Sequence, residues 1–441
     1  MTNPIIVAPA TALGGAIAVI RTSGEGSIAL CDRIFKGSKP LLEAKSHTIH
    51  YGTICDGERV VDDVVVAIFR APHSYTGEES VEISMHGSRY IVQEVIRLLC
   101  NEGARMAEAG EFSQRALTSG RIDLSQAEAV ADLIAAESRA AHAVAATQMR
   151  GGYSDMLETL REELLSVTTL LELELDFSEE DVEFADRARL QRMLEKTDGV
   201  VARLMESFRV GNAIREGVAV AIIGRPNVGK STLLNCLVGD DRAMVSDIAG
   251  TTRDTIEESV VIDDIRFRFV DTAGLHDTDD RLEQMGIERT ERAIRQAQIV
   301  LYMTEPSQRE IILPELGGEQ TLLLVVNKMD TTDKRDNEEA IYISARDGEG
   351  IDELRRALRA TVDTEGLYRG EVVVSNMRHF DALSRAHSSL QAALSALDMG
   401  VSEELLAEDI RSAINALAEI TGKITSEDIL KNVFANFCIG K

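Results

Sequence analysis

The sequence predicts a multidomain chain combining α/β and all-α parts: an N-terminal α+β domain, then a helical domain into which a wound α/β domain is inserted. Three observations predict it. Short β-rich runs separated by turns fill the first part of the chain. From Asp123 an Ala/Glu/Leu-rich helical pattern takes over, and helical character returns after Glu371. Between those stretches, from Val218 to about Arg359, apolar strand-like runs alternate with helical ones, as in a wound sheet.

Composition agrees. A chain of 441 residues, at roughly 150 residues per domain, holds about three domains. Hydrophobic residues make up 44% and charged residues 27%, an ordinary balance for globular domains. The formal net charge of −27 argues against a protein that grips nucleic acid alone through a broad basic face. A local patch or a partner must supply any positive surface for RNA. The cysteines, Cys31, Cys55, Cys100, Cys236 and Cys438, are odd in number and form no CxxC pair, which fits a reducing compartment. The opening Met1-Thr2-Asn3-Pro4 has no positive n-region or apolar core of a leader, and no stretch reaches membrane-span length. A cytoplasmic protein without a membrane segment is expected.

In chain order, residues 17–20 and 64–69 are β-rich and residues 91–99 read as a helix. Ser125-Gln126-Ala127-Glu128 matches a capping box at the start of the helical stretch. That stretch runs to about Arg215, with Gly151-Gly152 its main interruption. The acidic run Ser178-Glu179-Glu180-Asp181 reads as a solvated turn or helix start. Residues 377–397, 403–420 and 427–434 read as helices after the insert. The expected division is 1–118, 119–214, 215–364 and 365–441, the second and last parts forming one helical domain.

The insert carries the chemistry. Gly224-Arg225-Pro226-Asn227-Val228-Gly229-Lys230-Ser231 fits GxxxxGK[ST], between the apolar run 218–223 and the helical Thr232-Leu233-Leu234-Asn235. Glycines let backbone N–H groups approach phosphate, and a helix N-terminus favours negative charge. Lys230 is placed to reach the β- and γ-phosphates and Ser231 to ligate Mg²⁺. Asp271-Thr272-Ala273-Gly274 is DxxG after the strand 267–270. Asp271 can hold the magnesium shell, and the Gly274 amide can sense the γ-phosphate. Asn327-Lys328-Met329-Asp330 is NKxD after 322–326. The Asp330 carboxylate accepts from the N1–H and 2-amino donors of guanine, which adenine lacks. Ser344-Ala345-Arg346 follows 341–343 as the last guanine-contacting loop. Ordered motifs, each at the carboxyl end of a strand, specify a Ras-like P-loop G domain that binds GTP. Between the first two lies Asp247-Ile248-Ala249-Gly250-Thr251-Thr252-Arg253-Asp254, a switch segment with two adjacent Thr candidates for Mg²⁺. Residues 260–262 and 265–269 flank Asp263-Asp264 as a hairpin, so one strand of the sheet is expected to be antiparallel. Ras-like enzymes orient the attacking water with a Gln after DxxG, but this chain has Leu275. Catalysis must draw on another group.

The motifs Gly224–Ser231, Gly250-Thr251-Thr252-Arg253-Asp254 and Asp271–Leu275 resemble the MnmE (TrmE) family of tRNA-modification GTPases. Further resemblances are Thr76-Gly77-Glu78-Glu79, Arg121-Ile122-Asp123-Leu124-Ser125-Gln126-Ala127-Glu128-Ala129, Glu419-Ile420-Thr421-Gly422 and the terminal Phe437-Cys438-Ile439-Gly440-Lys441. The resemblance covers essentially the whole chain. It implies a potassium-activated GTPase whose G domains pair across their nucleotide faces. Carried over by motif, Asn227 is a K⁺ ligand by its side chain, Ser246 and Ile248 by carbonyls, and Thr251 by a further oxygen. Thr252 then becomes the Mg²⁺ ligand, within a GTP-binding segment that also includes Asp247 and Ala249. Glu283 matches the family's water-positioning glutamate; alone, it reads as a surface helix residue.

The resemblance also implies an N-terminal domain that dimerises and binds a one-carbon tetrahydrofolate derivative through Arg21, Glu82, Arg121 and Lys441. A pterin presents a 2-amino-4-oxo edge like guanine's, so Glu82 could read it as Asp330 reads guanine. Basic groups suit the glutamate tail. The family's early turn with proline appears here as Ala10-Thr11-Ala12-Leu13-Gly14-Gly15, and its His-Gly-Gly as His86-Gly87-Ser88. Cys438 reads either as a buried thiol or as a reactive, catalytic one favoured as thiolate by Lys441. The implied activity, shared with an FAD-carrying flavoprotein of the MnmG/GidA type in a heterotetramer, forms a 5-carboxymethylaminomethyl (or aminomethyl) group on the wobble uridine of certain tRNAs, with tRNA bound mainly through that partner. The alternative is a ribosome-assembly or translation switch without substrate chemistry. Such proteins often place the G domain first, whereas here more than 200 residues precede it.

Overall fold

The structure, a computed structural model, describes residues 3–176, 187–239, 258–270, 283–308, 313–314, 316–318, 320–332, 335, 337–364, 370–435, 437 and 440. The acidic run at residues 178–181 lies outside them. Two compact units divide the chain. One gathers Met1–Ala131, Met149–Arg161 and Leu417–Lys441; the other gathers Asp132–Gln148 and Glu162–Ala416. Among the described residues, no helix is long and apolar enough to cross a membrane.

The first unit is built on a seven-stranded sheet of order β3-β4-β5-β6-β2-β1-β7. Its strands are β1 (Ile6–Pro9), β2 (Ile17–Ser23), β3 (Phe35–Gly37), β4 (Thr48–Asp56), β5 (Arg59–Phe69), β6 (Ser80–His86) and β7 (Arg105–Met106). Pairing is antiparallel except for β1 with β7. Burial alternates along β5 and β6, so Val64, Val66, Ile68, Val81, Ile83 and Met85 enter the core while their neighbours face outward. The helix Arg89–Asn101 adds Val92, Val95 and Leu99 at helical spacing. A smaller cluster joins Ala127 to Phe434 and Phe437. The Gly440 backbone lies against Pro9, where an added Cβ would come within 2.1 Å of the Pro9 carbonyl oxygen. Gly440 therefore lies against β1.

The helical stretch differs from expectation at its start. The helix Leu124–Ala135 is capped by Asp123, whose Oδ1 accepts from Gln126 N at 2.8 Å while Gln126 Oε1 accepts from Asp123 N at 2.9 Å. This is a reciprocal capping box, set two residues before the Ser125–Glu128 pair. Ser125 is fully buried and hydrogen-bonds Asp123 and Ser154 instead. A further break falls before the helix Arg139–Met149, where Ser138 Oγ accepts from Ala141 N at 3.1 Å. The expected interruption is present at Arg150-Gly151, and Gly152 opens the helix Gly152–Asp176.

In the second unit the long helix Arg187–Glu216 packs on Met377–Asp398. Phe208 stacks on Phe380 with ring centroids 4.6 Å apart, and Asp198 accepts from His387 Nδ1 and Gln391 Nε2, each at 2.6 Å. The sheet of this unit has six strands in the order β13-β12-β11-β8-β10-β9. They are β8 (Val218–Gly224), β9 (Glu258–Ile262), β10 (Ile265–Phe269), β11 (Ile299–Thr304), β12 (Thr321–Val326) and β13 (Ile341–Tyr342). All pairs are parallel except β9 with β10. The turn between those two holds Asp263 and Asp264 at φ 44° and 70°, the left-handed pair of a tight hairpin. β8 and β11 are buried along their lengths, as strands covered on both faces must be.

Replacing Asp123 by Ala removes the oxygen that caps the helix Leu124–Ala135. A destabilisation of about 1 kcal/mol is expected, read as a lower urea midpoint for the transition of this unit.

Candidate functional site

The sheet order places the site. From β8 the chain moves to β10 on one side and then to β11 on the other, so the order reverses beside β8. Open α/β sheets bind ligands at such a switch point, outside the carboxyl ends of the strands. The loop leaving β8 there is residues 225–229, the middle of the GxxxxGK[ST] motif 224–231.

Two glycines in this loop are required by close approach. Gly224 sits at φ 150°, and a Cβ on it would lie 2.3 Å from the Met303 carbonyl oxygen on β11. Gly229 sits at φ 101°, and its Cβ would lie 2.3 Å from Asn327 Nδ2. Between them Asn227 takes a left-handed φ of 63° and is exposed, while Val228 is buried. The helix Lys230–Gly239 follows, anchored by Leu233, Leu234 and Leu237, so its N-terminal amides face the loop. Ser231 and Thr232 stand in its first turn. Lys230 Nζ donates to the carbonyls of Gly224 at 2.8 Å and Arg225 at 3.1 Å. Burial pulls the Lys230 ammonium below its ordinary pKa, and an anion beside it would push the other way.

Asn327 ties this loop to two others. It is only 4% exposed. Its Nδ2 donates to the Val228 carbonyl at 2.8 Å, and its Oδ1 accepts from Ala345 N at 2.9 Å. One amide thus fastens the loop after β8 to the segment after β13. Met329 N donates to the Ile343 carbonyl, which adds a backbone link between residues 327–330 and the residue just before 344–346. Lys328 takes a left-handed φ of 67°, and its Nζ meets Glu305 Oε2 at 2.6 Å. Asp330 is exposed; Ser344 Oγ donates to Asp347 Oδ2 at 2.7 Å and lies 3.4 Å from Asp330 Oδ1. Ala345 is buried and Arg346 exposed.

The structure thus brings together Asn227, Val228, Gly229, Lys230, Ser231 and Thr232 with Asn327, Lys328, Asp330, Ser344, Ala345 and Arg346. The predicted residues 246–252 and 271–274, the side chain of Glu283, Cys438 and Lys441 lie outside the described part. Sequence reading passed over Glu305. Its carboxylate is held below the usual range by Lys328 first and Ser307 next. The available signal was a charged residue directly after an apolar strand at the same edge of the sheet.

In the first unit Arg21 and Glu82 face each other across β2 and β6. Arg21 Nε and Nη2 both meet Glu82 Oε1, at 2.8 and 2.7 Å. The Arg21 guanidinium lies 5.5 Å from the Tyr75 ring centroid and 5.8 Å from that of Phe112. Arg121 is exposed, next to Gly77. Behind them, Glu78 accepts from Ser23 at 2.8 Å and from Arg115 at 3.0 Å. Burial alone would raise the Glu111 pKa, but bonds from Arg105, the Glu108 amide and Arg115 outweigh it and hold the carboxyl below its ordinary value.

Known proteins share this sequence along its length. A family model described as the MnmE helical domain matches residues 124–438, and one described as the GTP-binding protein TrmE N-terminus matches residues 5–121. The tRNA modification GTPase MnmE of Bacteroides fragilis is 48% identical over 100% of both chains. That of Bacteroides thetaiotaomicron is 47% identical over 100% of both. That of Flavobacterium johnsoniae is 47% identical over 99% of each. Among solved structures, the G domain of T. maritima FeoB aligns with 33% of this chain and 99% of that domain, at 22% identity and a TM-score of 0.24, too slight a likeness to bear on function. Matches that span both units at such identity leave one assignment: the chain belongs to the MnmE (TrmE) family.

Proposed function

We propose that this chain is a GTP-hydrolysing enzyme of tRNA modification that acts on the wobble uridine with a flavoprotein partner. The observation that carries the GTP reading is the double hydrogen bond of Asn327, which sets the loops after β8, β12 and β13 around one place. There a helix N-terminus and Lys230 meet phosphate, and Asp330 meets the guanine edge. The protein's layout is a tetrahydrofolate-binding and dimerising domain (1–118), a helical domain in two parts (119–214 and 365–441) and an inserted G domain (215–364).

The donor chemistry suits two different cations. The Ser231 and Thr252 hydroxyls and the Asp271 carboxylate are hard oxygen donors of the kind Mg²⁺ takes beside phosphates. The Asn227 amide, the Ser246 and Ile248 carbonyls and the Thr251 oxygen are neutral donors, which suit monovalent K⁺. When bound, such a cation supplies positive charge where Ras-like systems use an arginine finger. Leu275 cannot orient water, so Glu283 takes that part. This chain's own residues then hold the phosphates, read the base and position the attacking water.

On the folate side, both Arg21 contacts fall on Glu82 Oε1, which leaves Oε2 to accept from the 2-amino edge of a pterin. Arg21 stays flanked by Tyr75 and Phe112. Cys438 as a reactive thiol and Lys441 as a basic group for the glutamate tail complete this folate reading. Folate supplies the one-carbon unit, FAD belongs to the MnmG/GidA-type partner, and tRNA is met mainly through that partner, as the acidic charge of −27 favours. A cytoplasmic location follows from that work.

Two measurements test this. GTP turnover in K⁺ should exceed that in Na⁺ by at least tenfold, an advantage of about 1.4 kcal/mol in barrier, and Asn227→Ala should remove most of it; equal rates in the two salts would overturn the potassium role. Nucleoside analysis of tRNA from cells lacking the gene should show the loss of the 5-substituent on wobble uridine, and an unchanged profile would favour the translation-switch alternative.

A further inference from the structure

β11 and β12 run parallel and in register, with Thr304 opposite Val326. The residues that follow, Glu305 on one side and Asn327-Lys328 on the other, therefore leave the sheet side by side. Asn327 N donates to the Thr304 carbonyl at 2.9 Å and closes that edge. Glu305 is fixed by its own turn: its carbonyl accepts from Gln308 N at 2.9 Å and its Oε1 from Ser307 Oγ at 2.7 Å. Its other oxygen takes Lys328 Nζ at 2.6 Å.

Both side chains are part-exposed, Lys328 at 40% and Glu305 at 32%. A pair so open to water adds little to folding stability. Its effect is geometric. Lys328 is anchored at its left-handed backbone and at its ammonium, so the four-carbon stem between them is held to one course. Asp330, two residues on, is the group that reads the base edge in the reading proposed above, on which this inference rests. A purine whose edge meets Asp330 needs a cover for one face, and an apolar stem with a tethered cation supplies one.

We infer that Glu305 is a positioning residue for nucleotide binding: it holds Lys328 as the wall against which the guanine base lies. Glu305 touches no part of the nucleotide and acts only through Lys328. The role carries no discrimination of the 2-amino group, which belongs to Asp330.

The test is a double-mutant cycle on the full chain, titrated with a fluorescent GDP. Glu305→Gln should weaken GDP about three- to fivefold, the range of an exposed ion pair. It should weaken IDP, which lacks the 2-amino group, by the same factor. In a Lys328→Met background, Glu305→Gln should have no further effect, because the group it positions is gone. Unchanged GDP affinity in Glu305→Gln, or an equal loss in the Lys328→Met background, would overturn the inference. The guanine reading is tested separately by the unsubstituted protein, which must prefer GDP to ADP; if it binds neither, that reading fails and the positioning role falls with it.

Discussion

One buried carboxamide organises the inserted domain. Asn327 satisfies a carbonyl in the loop after β8 and an amide in the segment after β13. Each bond adds only about 1 kcal/mol net, but leaving either buried partner unmet costs about 1–3 kcal/mol. The asymmetry makes the arrangement selective. A loop displaced by an ångström loses a bond that water cannot replace. The glycine at 229 belongs to the same constraint, because a Cβ there would occupy the space of Asn327 Nδ2. Loop, strand order and amide form one self-consistent set.

Around that set the rest of the site is arranged by ordinary means. A buried β8 delivers the loop to the switch point, and the apolar face of the helix Lys230–Gly239 aims its N-terminus. In-register strands β11 and β12 bring Glu305 to Lys328. In the other unit the Arg21–Glu82 pair across β2 and β6 makes a second place where a carboxylate faces outward beside aromatic rings. In the function proposed, both places would set a carboxylate, Asp330 or Glu82, against a fused-ring edge, with Lys328 or Arg21 close by.

Much of this was legible in the sequence, for physical reasons. GxxxxGK[ST] can be read because backbone approach forces glycine at fixed spacing, and β8 because a strand covered on both faces must be apolar throughout. The hairpin at Asp263-Asp264 was readable because two short polar residues between alternating runs tolerate positive φ. What stayed hidden depends on partners distant in sequence. The sequence points to Ser125 as the cap, whereas Ser125 is buried against Ser154 and Asp123 makes the capping bonds, a difference that only the tertiary packing decides. The break before Arg139 lies in an Ala-rich stretch whose periodicity continues through it. Asn327 was readable as part of NKxD, but its grip on Val228 and Ala345 required the order of the strands. Glu305 gave no motif, since its partner sits on the next strand.

Asn327 is the residue on which assembly of the guanine-nucleotide site depends. The most direct test is a GDP titration of the Asn327→Ala protein, with circular dichroism to show that the sheet persists. The protein should stay folded while its GDP affinity falls at least tenfold, the equivalent of about 1.4 kcal/mol, because the loops no longer share an anchor. A folded Asn327→Ala protein that binds GDP as tightly as the unsubstituted chain would contradict that dependence.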